Sequence, residues 1–307
     1  MRSPQTVLET LRKHAQETQY QYERLYRNLY NPQFYLLAYQ NLYANKGSMT
    51  PGADGKTISG MSMKRIEDLV EKIRDRSYQP HPARRQYIPK KSGNGLRPLG
   101  IPSADDKLVQ EAVRMILESI YEPNFKQTSH GFRPNRSCHT ALAQIQRTFT
   151  GVSWFVEGDI KGCFDNIDHH ILIDILKRRI KDEAFIDLIW KLLRAGYLED
   201  WMKHQTYSGT PQGSGVSPLL ANIYMNELDQ FMEEYRGRFN KGDKRRFSNA
   251  YVNANHHYAR AKARNAKKWE LMNEEERENA RIMQKELQTT LLSTPSRDQM
   301  DPSNRRI

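Results

Sequence analysis

The sequence predicts an α+β fold, and three observations carry that prediction. Apolar residues recur at helical spacing in several long segments, among them Leu108, Ala112, Ile116 and Ile120. A stretch from residue 80 to 102, bracketed by prolines, reads as two short extended arms around a glycine-containing turn. From Trp154 to Ile160 the chain alternates as a strand would, with Trp154, Val156 and Ile160 on one face and Phe155, Glu157 and Asp159 on the other.

In chain order, residues 5–45 are rich in Tyr, Leu and Gln and read mostly as helix, ending where Asn45-Lys46-Gly47-Ser48 breaks the pattern. The polar run Thr50-Pro51-Gly52-Ala53-Asp54-Gly55 is a turn, and a second helix follows from about Ser62 to Arg76. In the hairpin, Arg84-Arg85-Gln86-Tyr87-Ile88 and Leu96-Arg97-Pro98-Leu99-Gly100-Ile101 flank Lys90-Lys91-Ser92-Gly93-Asn94-Gly95, which puts basic residues on both arms and at the tip. A helix from about Ala104 to Tyr121 stops at Pro123. Two amphipathic helices occupy roughly 169–195, turned by Lys181-Asp182 and closed by Gly196. A last clear helix opens with Ser217 as N-cap and Pro218 in its first turn, carries Leu220, Ile223, Leu228 and Phe231 as one stripe, and runs to about Tyr235.

The 307 residues hold 48 Lys and Arg against 36 Asp and Glu, a net charge of +12. That surplus points toward a polyanionic partner. Two cysteines, Cys138 and Cys163, exclude a disulfide framework and a four-cysteine zinc site. No apolar run is long enough to span a membrane and the N-terminus lacks a signal-peptide core, so a cytoplasmic protein with no membrane partner is expected. The surplus is concentrated in residues 236–307, with 17 Lys and Arg against 9 Asp and Glu. That segment reads either as a solvated charged helix or as a face for polyphosphate.

Two short runs of residues imitate chemistry. Gly55-Lys56-Thr57 looks like the end of a phosphate loop, but Thr50 stands where that motif requires glycine and no apolar strand leads in, so it is a turn. Asp105-Asp106 follows Pro102-Ser103 and opens a helix, where negative charge favours the N-terminus.

Asp159 leaves its strand on the side away from the apolar face, followed by Lys161-Gly162-Cys163-Phe164-Asp165-Asn166. Farther on stands Gly209-Thr210-Pro211-Gln212-Gly213-Ser214-Gly215-Val216-Ser217-Pro218. With Ile88-Pro89-Lys90, Arg97-Pro98-Leu99-Gly100-Ile101-Pro102 and His130-Gly131-Phe132-Arg133-Pro134, the order of motifs resembles the reverse transcriptases of bacterial group II introns, over about residues 20 to 235.

The resemblance implies a right-hand polymerase: an N-terminal extension (1–80), fingers (81–150), a partial palm (151–235) and a basic segment (236–307), helical or flexible. It implies that Asp159, with the Ile160 carbonyl beside it, is the first metal-binding aspartate of a palm that holds two Mg²⁺ ions. Phe164 would lie under the incoming sugar and exclude a 2′-hydroxyl, Lys90 and Arg97 would hold triphosphate oxygens with Arg84 and Arg85 as further candidates, and Gln212 would pack near nucleotide and template. Arg12, Lys13, Arg24, Arg27 and Lys46 of the extension would contact RNA. The expected partners are intron RNA, an RNA template with a DNA primer, and dNTPs, with self-association left open. The aromatic-Ala-Asp-Asp turn that supplies the remaining metal carboxylates in that family is missing from the sequence. These residues are therefore expected to be an N-terminal fragment of an RNA-directed DNA polymerase and splicing maturase, inactive in polymerisation by itself. A retron-type or other bacterial reverse transcriptase and a purely RNA-docking module remain the alternatives.

Overall fold

The computed structural model describes residues 2–90, 95–149, 152, 154–199, 202–206, 208–209, 213–242, 245–298 and 301. They divide into two compact units, Met1–Thr150 with Val156–Gln230, and Gly151–Phe155 with Phe231–Ile307.

The first unit is organised on one buried helix. α1 (Pro4–Ala15), α2 (Pro32–Tyr43), α3 (Met63–Arg74), a hairpin of β1 (Ala83–Pro89) and β2 (Leu96–Ile101), and then α4 (Ala104–Tyr121) make its N-terminal half. Ser103 caps α4 by accepting from the Asp106 amide, with Asp105 and Asp106 in the first turn. The expected stripe of α4, Leu108, Ala112, Ile116 and Ile120, is fully buried, but so are Val109, Val113 and Leu117. A helix apolar on most sides lies inside a core rather than on it. α5 (Cys138–Thr148), the pair α6 (His169–Arg179) and α7 (Glu183–Leu193), strands β3 (Tyr197–Glu199) and β4 (Met202–His204), and α8 (Ser217–Phe239) follow. The sheet runs β2-β1-β3-β4, with β1 antiparallel to β2 and parallel to β3.

Three expectations are corrected. Residues 5–45 form two helices, not one, because Tyr22 pairs with Ile180: its amide donates to the Arg179 carbonyl at 2.7 Å and its carbonyl accepts from Lys181 at 2.9 Å. The Arg179 guanidinium donates to the carbonyls of Ala15 and Glu17, closing the C-terminus of α1. Residues 154–160, all among the described residues, form no strand; Trp154 is 84% and Val156 91% exposed. Alternation supplies a face, but a strand exists only when another strand takes its backbone hydrogen bonds. In α8 only the first part of the expected stripe is buried, with Leu220 and Ile223 inside and Leu228 and Phe231 exposed, and the helix runs to Phe239.

Three tyrosines of the N-terminal region serve this core rather than a surface. Tyr22, Tyr26 and Tyr35 are buried, their hydroxyls donating to the carbonyls of Leu11, Ile73 and Leu29. Burial pushes the pKa of Tyr22 and of Tyr26 up to about 12. Residues 1–80 thus share one core with α4, α6 and α7.

In the second unit, α9 (Asn249–Lys268) and α10 (Glu274–Ser293) form a helical hairpin, so the basic segment is helical. Asn273 and Glu276 form a capping box, Glu274–Glu276 occupy the first turn of α10, and Lys267 and Lys268 the last turn of α9. Each block of charge lies at the helix end that favours it. The open ends are tied by Ser248 donating to Pro295 at 2.6 Å and by an Arg246–Asp298 ion pair at 2.8 Å. Among the described residues no helix is long and apolar enough to cross a membrane.

Candidate functional site

Gly162, at φ 60°, turns the chain into the short 3-10 turn Cys163–Asp165. Asn166 fixes that turn by donating its side-chain amide to the Lys161 and Gly162 carbonyls, both at 3.1 Å. Phe164 stands on the turn, partly buried against the main core and edge-on to Phe132 at 6.2 Å.

The glycine-rich segment is fastened to this turn. The Gly209 amide donates to the Ile167 carbonyl at 2.8 Å, and the Ser208 hydroxyl to the Asp165 carbonyl at 3.2 Å. The imidazole of His169, buried in the first turn of α6, lies 2.6 Å from the Gly209 carbonyl through Nε2. A carbonyl only accepts, so Nε2 carries the proton. Gly209 is at φ +81°, and a methyl built on it would stand 2.7 Å from the carbonyl oxygens of both Phe164 and Asp165, so glycine is required.

The other end of the segment is fixed to α4 and to the hairpin. Gln110, on α4, accepts from the Ser214 hydroxyl at 3.0 Å and the Gly215 amide at 3.2 Å. Gly213 lies on the backbone of Gly100 and on the Leu99 side chain of β2. Gln212 and Pro211 lie outside the described residues, between these two anchored ends.

The hairpin register decides which basic residues face this segment. Ile88 pairs with Arg97, Gln86 with Leu99 and Arg84 with Ile101, so Arg97 and Leu99 lie on one face, and Lys90, two residues beyond Ile88, continues it. Leu99 is the residue that meets Gly213, so this is the face turned toward the glycine-rich segment. Lys90 and Arg97 are exposed on it.

The other candidates are used differently. Arg84 donates through Nε and Nη2 to the Pro51 carbonyl at 3.2 and 3.1 Å, and the Arg85 guanidinium covers the Tyr197 ring at 4.1 Å. Asp159 and Ile160 are exposed in an irregular stretch. Among the described residues no three His, Cys, Asp or Glu side chains are grouped so as to hold a metal ion. Arg12, Lys13, Arg24 and Arg27 are exposed, and the Lys46 side chain lies outside what is described. Asp106, buried at the start of α4, accepts from Tyr78 at 2.6 Å and Ser103 at 2.7 Å, which bears out its structural role. Gln110 and His169 were not singled out by sequence reasoning, because their partners in the glycine-rich segment lie far away along the chain.

Comparison with known proteins shows the family. Residues 88–252 match the sequence model of the reverse transcriptase (RNA-dependent DNA polymerase) family. The group II intron-encoded protein LtrA of Lactococcus lactis subsp. cremoris is 53% identical over 82% of this chain and 42% of its own length. A putative COX1/OXI3 intron 1 protein of Saccharomyces cerevisiae is 41% identical over 76% of this chain and 28% of its own, and protein YkfC of Escherichia coli 38% over 69% and 58%. The chain therefore spans less than half the length of LtrA. Matched by the family model over more than half its length and joined by intron-encoded relatives, the chain belongs to the reverse transcriptase family.

Proposed function

We propose that these residues are the N-terminal extension, fingers and first part of the palm of a group II intron reverse transcriptase and maturase, which copies intron RNA into DNA. The observation that carries the reading is the double anchoring of the glycine-rich segment, on the Phe164 turn at Gly209 and on the basic hairpin at Gly213. The segment thereby links the turn that carries a partly buried aromatic with the hairpin that carries Lys90 and Arg97, the residue types suited to a sugar and to triphosphate oxygens.

The Asp159 carboxylate and Ile160 carbonyl are hard oxygen donors, the kind magnesium takes. One carboxylate falls short of a two-metal site, and further carboxylates from an aromatic-Ala-Asp-Asp turn would complete it. Magnesium, when bound, stabilises charge on the attacking and leaving oxygens of nucleotidyl transfer. Lys90 and Arg97 hold the leaving pyrophosphate, Phe164 excludes a 2′-hydroxyl by filling its space, and Gln212 orients nucleotide and template.

The test is primer extension on an RNA template by a polypeptide that carries residues 1–307 together with that turn and a thumb. Magnesium-dependent DNA synthesis is expected, lost by orders of magnitude in Asp159→Ala with RNA affinity retained, while residues 1–307 alone are inactive. Phe164→Val is expected to admit ribonucleotides more than it slows deoxynucleotide addition. Full activity of Asp159→Ala, or robust synthesis by residues 1–307, would refute the reading.

A further inference from the structure

Phe132 stands beside Phe164, the residue 76% exposed and its backbone at φ 53°. A bulky residue in the left-handed region costs free energy and persists only where its surroundings over-determine it. Gly131, its neighbour, could have taken that conformation without strain.

The surroundings do over-determine it. Arg133, 8% exposed, pairs with Glu122 at 2.9 Å and donates to the carbonyls of Lys126 and Ser129, both at 2.8 Å, while covering the Phe125 ring. The Gly131 carbonyl accepts from Asn222 of α8 at 2.8 Å. The His130 ring is bracketed by Thr140 and Gln144 of α5, each at 2.8 Å. A second left-handed residue, Asn135, follows at φ 58°. The loop is thus fastened on both sides of Phe132, and the strain holds one aromatic ring out in water.

We propose that Phe132 is a stacking platform for an unpaired base of single-stranded RNA passing beside Phe164. An exposed aromatic on a fastened backbone offers one flat face of the size of a base, and every base has a π-face to lay on it. Lys161, exposed three residues before Phe164, supplies positive charge for the phosphates of the same strand. The proposal deepens the reverse transcriptase reading and rests on it for the role of Phe164.

The test compares binding of residues 1–307 to oligouridylate and to an abasic ribose-phosphate strand of equal length. The unaltered chain should prefer the strand with bases. Phe132→Ala should lose roughly 5- to 150-fold on oligouridylate, the range of one base on one ring, and nothing on the abasic strand. Phe132→Trp should keep the preference. Phe132→Gly should lose it while melting at or above the temperature of the unaltered chain, because glycine relieves the strain. Equal losses on both strands, or unchanged affinity in Phe132→Ala, would overturn the platform while leaving the polymerase reading standing. No RNA binding at all by the unaltered chain would remove both.

Discussion

Gly213 lies so close to Gly100 that a methyl group built on it would stand 2.4 Å from the Gly100 carbonyl oxygen and 2.9 Å from Leu99 Cδ1. The contact seats the end of the glycine-rich segment on the hairpin that bears Lys90 and Arg97. Gly213 also sits at φ +107°, closed to other residues. Gly215, two residues on, has nothing within 4 Å of that position.

Gly213→Ala should therefore push Gly213 off the hairpin and lower polymerisation by the full-length enzyme about 100-fold, the order that an ångström of misplacement costs. Gly215→Ala should stay near wild type. Steady-state primer extension checks the pair, and equal effects would refute the packing argument.

Asp106 should be the costliest side chain to truncate at the start of α4. Asp106→Ala leaves the buried Tyr78 hydroxyl without its acceptor and should cost about 3 kcal/mol in urea unfolding. Tyr78→Phe removes the donor, so when combined with Asp106→Ala it should cost less than it does in the wild type. Strict additivity in the double-mutant cycle would show that the two groups do not depend on each other.

His81 gives the protein a pH-dependent increment of stability. Its Nδ1 lies 3.4 Å from Asp106, whose hydrogen bond raises the imidazole pKa above 6.5, with Asp54 and Asp105 adding smaller attraction. A raised folded pKa means the stabilisation is complete below the ordinary value and is lost as pH rises through the folded value. The melting temperature of the wild type relative to His81→Gln should therefore fall as pH rises above about 6.5. The effect is small because the ring is half exposed. A flat difference across that range would sink the assignment.

RNA affinity should fall linearly in log salt. Deleting residues 1–80 would remove part of the core, so the charges are the part to change. Replacing Arg12, Lys13, Arg24 and Arg27 by Gln should weaken intron RNA more than an unrelated RNA. The salt slope should become shallower by roughly 0.7 to 0.9 for each residue that contacts a phosphate. Filter binding at several salt concentrations checks both points, and an unchanged slope would remove these residues from the interface.

Local chemistry made much of this fold readable. Ser103 before an apolar period announces α4, Ser62 announces α3, and the prolines and glycines around residues 80–102 announce the hairpin, because caps and turns act within a few residues. The family was legible in the same way, since Lys90, Arg97, Phe164 and the glycine-rich segment keep an order along the chain that needs no folding to be seen. Distant pairing was not legible. Nothing near Tyr22 says that it will bridge to Ile180 and split the N-terminal helical region, or that its ring will be buried. Strands β3 and β4, of three residues each, are too short to show a period, whereas residues 154–160 show one and form no strand. The sequence by itself determined α3, α4, the α6–α7 pair and the start of α8, the hairpin and the chemical types at the site. Only the tertiary structure decided that Gly209 would lock onto the Phe164 turn and Gly213 onto Gly100, because close backbone contact depends on packing from all sides, which no local stretch of residues specifies.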